Sequence, residues 1–291
     1  MEFSAIACGL YLEGIGIEND QVWFSDVVQG GVRRLALDCT IDTWLPDRCW
    51  IGSVLFNSDG AVLCSGLDGI AWFHPSTGAS GMLLEKIDGQ PLRGVNEMVP
   101  DGQGGIYFGT MDIASMAQGQ PLGPSALYRL ARDGRVTYLA GDLQFPNGIG
   151  VSADGKRLFH NDTRVGTYAY DFLPDGSLGN RTMLLESTDG DGVAIDADGN
   201  VWVTGYLSPD LLCLKPDGTI INRIALPGGD GATNLRFGGE DGRDLYVTVV
   251  PRDVVEAIIA GTPPTSPRSV LYRGRSDVPG RVHARTDFRL T

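Results

Sequence analysis

Positive charge is scarce in this chain: 23 Lys and Arg stand against 36 Asp and Glu, giving a formal charge of −13 and a pI near 4.6. Nucleic acid and anionic membrane surfaces are bound through clustered Lys and Arg, so neither is an expected partner. Long apolar runs are also missing. No window approaches the roughly 18 apolar residues of a membrane span, and residues 1–10 contain no basic segment followed by an apolar run. A soluble, cytoplasmic protein is expected. The five cysteines (Cys8, Cys39, Cys49, Cys64 and Cys213) are odd in number and show no C-x-x-C spacing. That excludes a disulfide framework and a zinc knuckle and leaves reduced thiols. The three histidines, His74, His160 and His283, show no ligand spacing either, which disfavours softer metals. Helical periodicity is nearly absent. Apolar residues alternate or bunch in fours between Gly, Asp, Asn and Pro, so all-β is the natural class, with one helical turn expected at 254–259.

What the chain does have is rhythm. Turn dipeptides fall at Asn19-Asp20, Asp59-Gly60, Gly104-Gly105, Asp154-Gly155, Asp198-Gly199 and Asp241-Gly242, a step of roughly 40 to 50 residues, the period of propeller blades. Each turn is followed by a β-rich run, at 21–25, 61–64, 106–110, 158–160, 201–204 and 245–248. A second set of turns, such as Asp133-Gly134 and Asp217-Gly218, lies between them, preceded by further runs such as Ala71-Trp72-Phe73 and Leu127-Tyr128-Arg129-Leu130. The expected architecture is one domain over residues 1–291, a six-bladed β-propeller with a central metal site, its last blade completed by the N-terminal strand. Trp23, Trp72 and Trp202 are expected in the core, and His160 as a packed strand histidine. The longest interruption, residues 111–125, reads as a loop over one end of the ring.

Counting back about ten residues from each run gives one position per repeat: Glu13, Ser53, Asn96, Asn147, Asp191 and Asn234. Taken singly, Asn147 is an Asn-Gly turn residue, and Glu13 and Asp191 are solvated acids. Taken together, Glu13, Asn96, Asn147 and Asp191 are two carboxylates and two amides, a donor set for a hard cation. Four protein ligands fall short of the six to eight oxygens that Ca²⁺ takes, so water or substrate completes the shell. Ser53 and Asn234 are read as neutral lining. The expected cofactor is a divalent cation, Ca²⁺ first, with Zn²⁺, Mg²⁺ or Mn²⁺ as alternatives.

Five stretches in order, around Leu12-Glu13-Gly14, Asn96 with Gly109-Thr110-Met111, Phe145-Pro146-Asn147-Gly148, Asp191-Gly192-Val193 and Thr233-Asn234-Leu235-Arg236, resemble the senescence marker protein (regucalcin)/gluconolactonase family. The resemblance implies a six-bladed propeller holding a divalent ion in its tunnel, hydrolysis of lactones, and metal ligands at Glu13, Asn147 and Asp191, with Asn96 as a further ligand or substrate contact. The ion would polarise the lactone carbonyl, and Asp191 would act as general base or as ligand alone. The chain departs from the family's pattern in having Glu97 after Asn96, Arg93 three residues before it, and Asp112 as the one acid after Thr110-Met111. Arg93, Asn96 and Asp112 are therefore the candidate substrate contacts. The sparsely polar lid implies a small-molecule lactone or ester that is less hydroxylated, and so less polar, than a sugar lactone. The alternatives are a phosphotriesterase-like hydrolase or metal-assisted isomerase or lyase on the same site, and a calcium-binding or scaffold propeller without turnover.

Overall fold

A computed structural model describes residues 1–36, 40–116 and 120–290, and strand dominates it. The first sheet consists of Leu12–Glu18, Gln21–Asp26, Val32–Leu35 and Ile41–Trp44. The second consists of Val54–Phe56, Val62–Cys64, Ile70–Phe73 and Ser80–Leu84, and the third of Val95–Pro100, Ile106–Thr110, Ser125–Leu130 and Val136–Leu143. The fourth holds Pro146–Val151, Arg157–Asp162, Gly166–Phe172 and Leu178–Glu186, and the fifth Gly190–Ile195, Val201–Gly205, Asp210–Leu214 and Ile220–Ala225. In these five sheets the strands lie side by side in chain order. The sixth breaks that rule: Gly231–Gly238, Asp244–Val250 and Ser269–Arg275 are completed by Phe3–Gly9, which pairs antiparallel with the last of them. The fold is the six-bladed β-propeller that the turn rhythm predicts.

The chain divides into two compact units, one of residues 1–12 with 144–282 and the other of residues 13–143 with 283–291. Each unit builds its core between adjacent sheets. In the first, Trp202 and Leu211 of the fifth sheet pack with Leu235, Phe237 and Val247 of the sixth. In the second, Trp23 of the first sheet meets Val54, Phe56 and Phe73 of the second, and Leu63 and Trp72 of the second meet Met98 and Phe108 of the third. Trp23, Trp72 and Trp202 are all buried, as expected of aromatic residues in strands. Each fully buried large side chain of this kind contributes about 1.5–3 kcal/mol.

Four cysteines, Cys8, Cys49, Cys64 and Cys213, are free thiols, and Cys39 lies outside the described residues. Burial pushes the Cys64 thiol up to about 11 and the Cys213 thiol up to about 12, which keeps both protonated and inert. The helical turn expected at 254–259 is a helix, Arg252–Ile259, with Val254 and Val255 packed on Val250 and Tyr206. Among the described residues no helix is long and apolar enough to cross a membrane. One feature has no signal in the sequence: the segment 283–290 is tied to the second sheet by Asn57. Its Oδ1 accepts from Phe288 N at 2.9 Å and from Thr286 Oγ1 at 2.8 Å, while its Nδ2 donates to Phe288 O at 3.0 Å.

Candidate functional site

The repeat positions lie in or immediately before the first strand of their sheets, where glycine lets neighbouring backbones touch. A Cβ on Gly148 would fall 2.3 Å from Asp191 O, and one on Gly192 would fall 2.9 Å from Asn234 Cα. In the unit of residues 144–282, Asn147, Asp191 and Asn234 are thereby brought side by side. The unit of residues 13–143 repeats the device. A Cβ on Gly14 would meet Ser53 Cα at 2.9 Å, and one on Gly52 would meet Asn96 Oδ1 at 2.3 Å, so Glu13, Ser53 and Asn96 also follow one another closely. Any side chain at these glycines would push the polar residues apart.

Hydrogen bonding decides which atoms these residues present. Thr163 Oγ1 donates to Gly190 O, so its lone pairs must receive the donor from Asn147, and Asn147 Nδ2 lies 3.3 Å away. The Asn147 amide is thus oriented with its nitrogen on Thr163 and its carbonyl oxygen turned away, as a cation ligand requires. Asp191 is held through its backbone: its carbonyl accepts from Asn161 Nδ2 at 2.8 Å, and the next amide, Gly192 N, donates to Thr204 Oγ1 at 2.7 Å. Both side chains are buried, at 5% and 4% relative exposure. Asn234 behaves differently, because its Oδ1 accepts from Leu235 N at 2.9 Å and from Arg236 Nη1 at 3.0 Å. It is engaged within its own strand, in keeping with a neutral lining role.

Glu13 is buried at 6% exposure, and Asn96 is half-buried. Ser53 Oγ lies 3.1 Å from both Glu97 Oε1 and Met98 O and can donate to either, and Glu97 is buried. Arg93 and Asp112, two of the candidate substrate contacts, are paired with each other at 2.7 Å. Asp112 Oδ1 also accepts from Ser115 N at 2.9 Å, capping the one-turn helix Ile113–Met116. Burial pushes the Asp112 carboxyl up, but Ser115 and Arg93 together outweigh it and hold the group below the ordinary carboxylate range. The stretch expected as a plain loop at 111–125 therefore contains a capped helical turn and ends in a strand. Its residues 117–119 lie outside the described residues.

Sequence reasoning missed two residues beside the site. The Tyr206 phenol, in the turn after Val201–Gly205, is pushed up by burial and by the charges of Asp191 and Asp189, with Arg164 opposing. It stays a protonated donor. Arg236 is buried, and its Nη1 donates to Val193 O, Asn234 Oδ1 and Leu235 O at 2.8–3.1 Å. Its signal was available, since a residue two after Asn234 on a strand shares its face. His160 is buried as expected, and burial, with the Arg181 charge behind it, drives it down to about 3. Asp162 accepts from Phe145 N at 2.7 Å and Gln144 N at 2.9 Å and so anchors the loop leading to Asn147.

In the unit of residues 144–282, the oriented Asn147 amide and the buried Asp191 carboxylate are oxygen donors of the kind a hard divalent cation takes. Among the described residues no three acidic, histidine or cysteine side chains gather to hold a metal ion, so an ion at this site would take amide oxygens as well, and Asn147 is oriented to give one.

Residues 13–250 match the family described as the SMP-30/Gluconolactonase/LRE-like region. The chain belongs to this family. It is 27% identical to the pentonolactonase XacC of Haloferax volcanii, over 94% of this chain and 92% of that protein. It is also 28% identical to a 6-deoxy-6-sulfogluconolactonase of Pseudomonas putida, over 80% of each, and 31% identical to chicken (Gallus gallus) regucalcin, over 53% of each. Among solved structures, a calcium-binding regucalcin from Agrobacterium tumefaciens superposes with a TM-score of 0.80 at 22% identity, covering 99% of this chain and 98% of that one. At that identity the likeness speaks for the propeller fold.

Proposed function

We propose that the protein is a divalent-metal-dependent lactonase: water adds to the lactone carbonyl, the ring C–O bond breaks, and a hydroxy acid leaves. The observation that carries this reading is the family match across residues 13–250, joined to the Asn147 amide held oxygen-outward beside buried Asp191. Relatives along most of the chain are lactonases. Glu13, Asn147 and Asp191 are the proposed ligands, with Asn96 as a fourth ligand or substrate contact. When bound, the ion, Ca²⁺ first among the candidates, supplies Lewis acidity at the carbonyl oxygen and lowers the pKa of a water. Asp191 serves as ligand and as the base that takes a proton from the attacking water. Tyr206, whose phenol feels the Asp191 charge, stays a neutral O–H donor.

The proposed substrate carries fewer hydroxyls than a sugar lactone, because Asp112, the acid that would receive them, is already engaged by Arg93 and by Ser115. Metal analysis of the purified protein, followed by a panel of sugar, alkyl and aromatic lactones before and after EDTA, tests both parts. The expected result is activity lost with the chelator, restored by the metal, and higher on the less hydroxylated lactones. EDTA-resistant turnover would remove the metal from the mechanism, and a clear preference for sugar lactones would remove the substrate reading.

A further inference from the structure

Arg164 occupies a place where the fold asks for glycine. Val165 N donates to Asp162 O at 2.9 Å, closing a turn over Asp162-Thr163-Arg164-Val165, and Arg164 takes the third position at φ +84°. A turn with positive φ at that position favours glycine, and a large side chain there is strained. The side chain is also exposed in a protein of net charge −13, yet it forms no ion pair with any described residue. Several other arginines are taken up by acids, among them Arg93 by Asp112, Arg157 by Asp171, Arg268 by Asp253, and Arg275 by Asp241 and Asp244. Arg164 instead lies over the Phe145 ring, its guanidinium carbon 5.8 Å from the ring centroid. A cation over an aromatic face is held in place while its edge donors remain available.

Its position ties it to the site. The preceding residue, Thr163, receives the Asn147 amide, and Thr163 N donates to Phe145 O at 2.9 Å, so Arg164 follows the residue that holds Asn147 and lies over the ring of Phe145, two residues before Asn147. Tyr206, beside Asp191, lies within electrostatic range of the same guanidinium.

We propose that Arg164, braced on Phe145, is a specificity determinant that binds a carboxylate carried by the lactone outside the reacting ester. The substrate class is thus a carboxylated lactone with few hydroxyls. This rests on the lactonase reading for its chemistry but not for its recognition step, and the two are tested separately.

Turnover of butyrolactone is compared with that of its carboxylated analogue, and binding of the unreactive lactam pyrrolidinone with that of its carboxylated analogue pyroglutamate, by calorimetry on the metal-loaded protein. The wild type should prefer the carboxylated member of each pair by about tenfold to a hundredfold, chiefly through KM, as expected for a charge-assisted bidentate contact. In Arg164→Gly the preference should fall toward unity, while Arg164→Lys should keep part of it. Glycine relieves the positive φ, so an undiminished melting temperature for Arg164→Gly shows that the loss is not unfolding. No preference in the wild type for either carboxylated member, or a preference that survives Arg164→Gly, overturns the proposal. If pyroglutamate binds through Arg164 and neither lactone opens, the lactonase reading fails and this recognition stands.

Discussion

Two connections hold the same place in their sheets, between second and third strands, and they leave an arginine in opposite states. In the third sheet the long connection after Ile106–Thr110 contributes Asp112, which caps a helical turn and takes up Arg93. In the fourth sheet the three-residue connection after Arg157–Asp162 contributes Thr163, which orients Asn147, and Arg164, which no described acid neutralises. Where acid and base are built in together, their charges are satisfied within the fold and serve stability. Where hydroxyls and amides do the holding, the Asn147 amide is fixed by Thr163 and the guanidinium lies over the Phe145 ring. The contrast separates polar residues paired within the fold from those the proposed site would use.

The strongest way to break this contrast is to neutralise the carboxylates proposed as ligands. Asp191→Asn and Glu13→Gln should each lower kcat/KM by more than about a hundredfold and reduce bound metal, measured by turnover and elemental analysis. Retention of full activity by either variant removes that residue from the site. Thr163→Val is subtler, because it leaves every proposed ligand in place and only frees the Asn147 amide to turn. A loss of about tenfold to a hundredfold in metal affinity or activity is expected, as for residues that orient ligands, and an unchanged metal titration would show that Thr163 does not set the amide.

His160 tests the fourth sheet through stability. It is neutral when folded, driven to about 3 from an ordinary value near 6.5, so the unfolded chain takes up a proton first as pH falls. Its contribution is complete above pH 6.5 and is lost between there and about 3, at about 1.4 kcal/mol per pH unit. His160→Leu should flatten the fall in melting temperature across that window, and an identical pH profile would argue against a buried neutral imidazole. The smallest effect should come from the other side of the comparison. Asp112→Asn retains a capping oxygen but loses the ion pair with Arg93, so stability should drop by no more than about 1 kcal/mol by denaturant titration. A loss of activity as large as that of Thr163→Val would instead place Asp112 among the groups that meet substrate.

Much of the fold was legible because turn chemistry is local: Asp-Gly and Asn-Asp pairs mark hairpins whatever surrounds them, and they recur at blade spacing. The first strand of each sheet was not legible as strand. Stretches such as Pro146-Asn147-Gly148 and Gly190-Asp191-Gly192 read as turns, since glycine and asparagine disfavour strands and the β-branched alternation is missing. They are strands because they pair with the second strand of their sheet, and glycine stands in them because neighbouring backbones come too close for side chains, both constraints set by tertiary packing. The site divides in the same way. One polar residue per repeat could be counted along the chain, but Thr163, Tyr206 and Arg236 matter through contacts, such as that of Arg236 with Val193, formed across 43 residues of sequence. The anchoring of residues 283–290 by Asn57 is more distant still and left no periodic trace.

The pairing of Phe3–Gly9 with Ser269–Arg275 also governs how the chain is made. Phe3–Gly9 is synthesised well before Ser269–Arg275, so at about 5–20 residues per second it waits roughly ten seconds to a minute for its partner. Throughout that time a nascent chain carries an unpaired β-edge, open to neighbours on the same message. A permuted gene that begins at Leu12 and appends residues 1–11 after residue 291 would remove the wait.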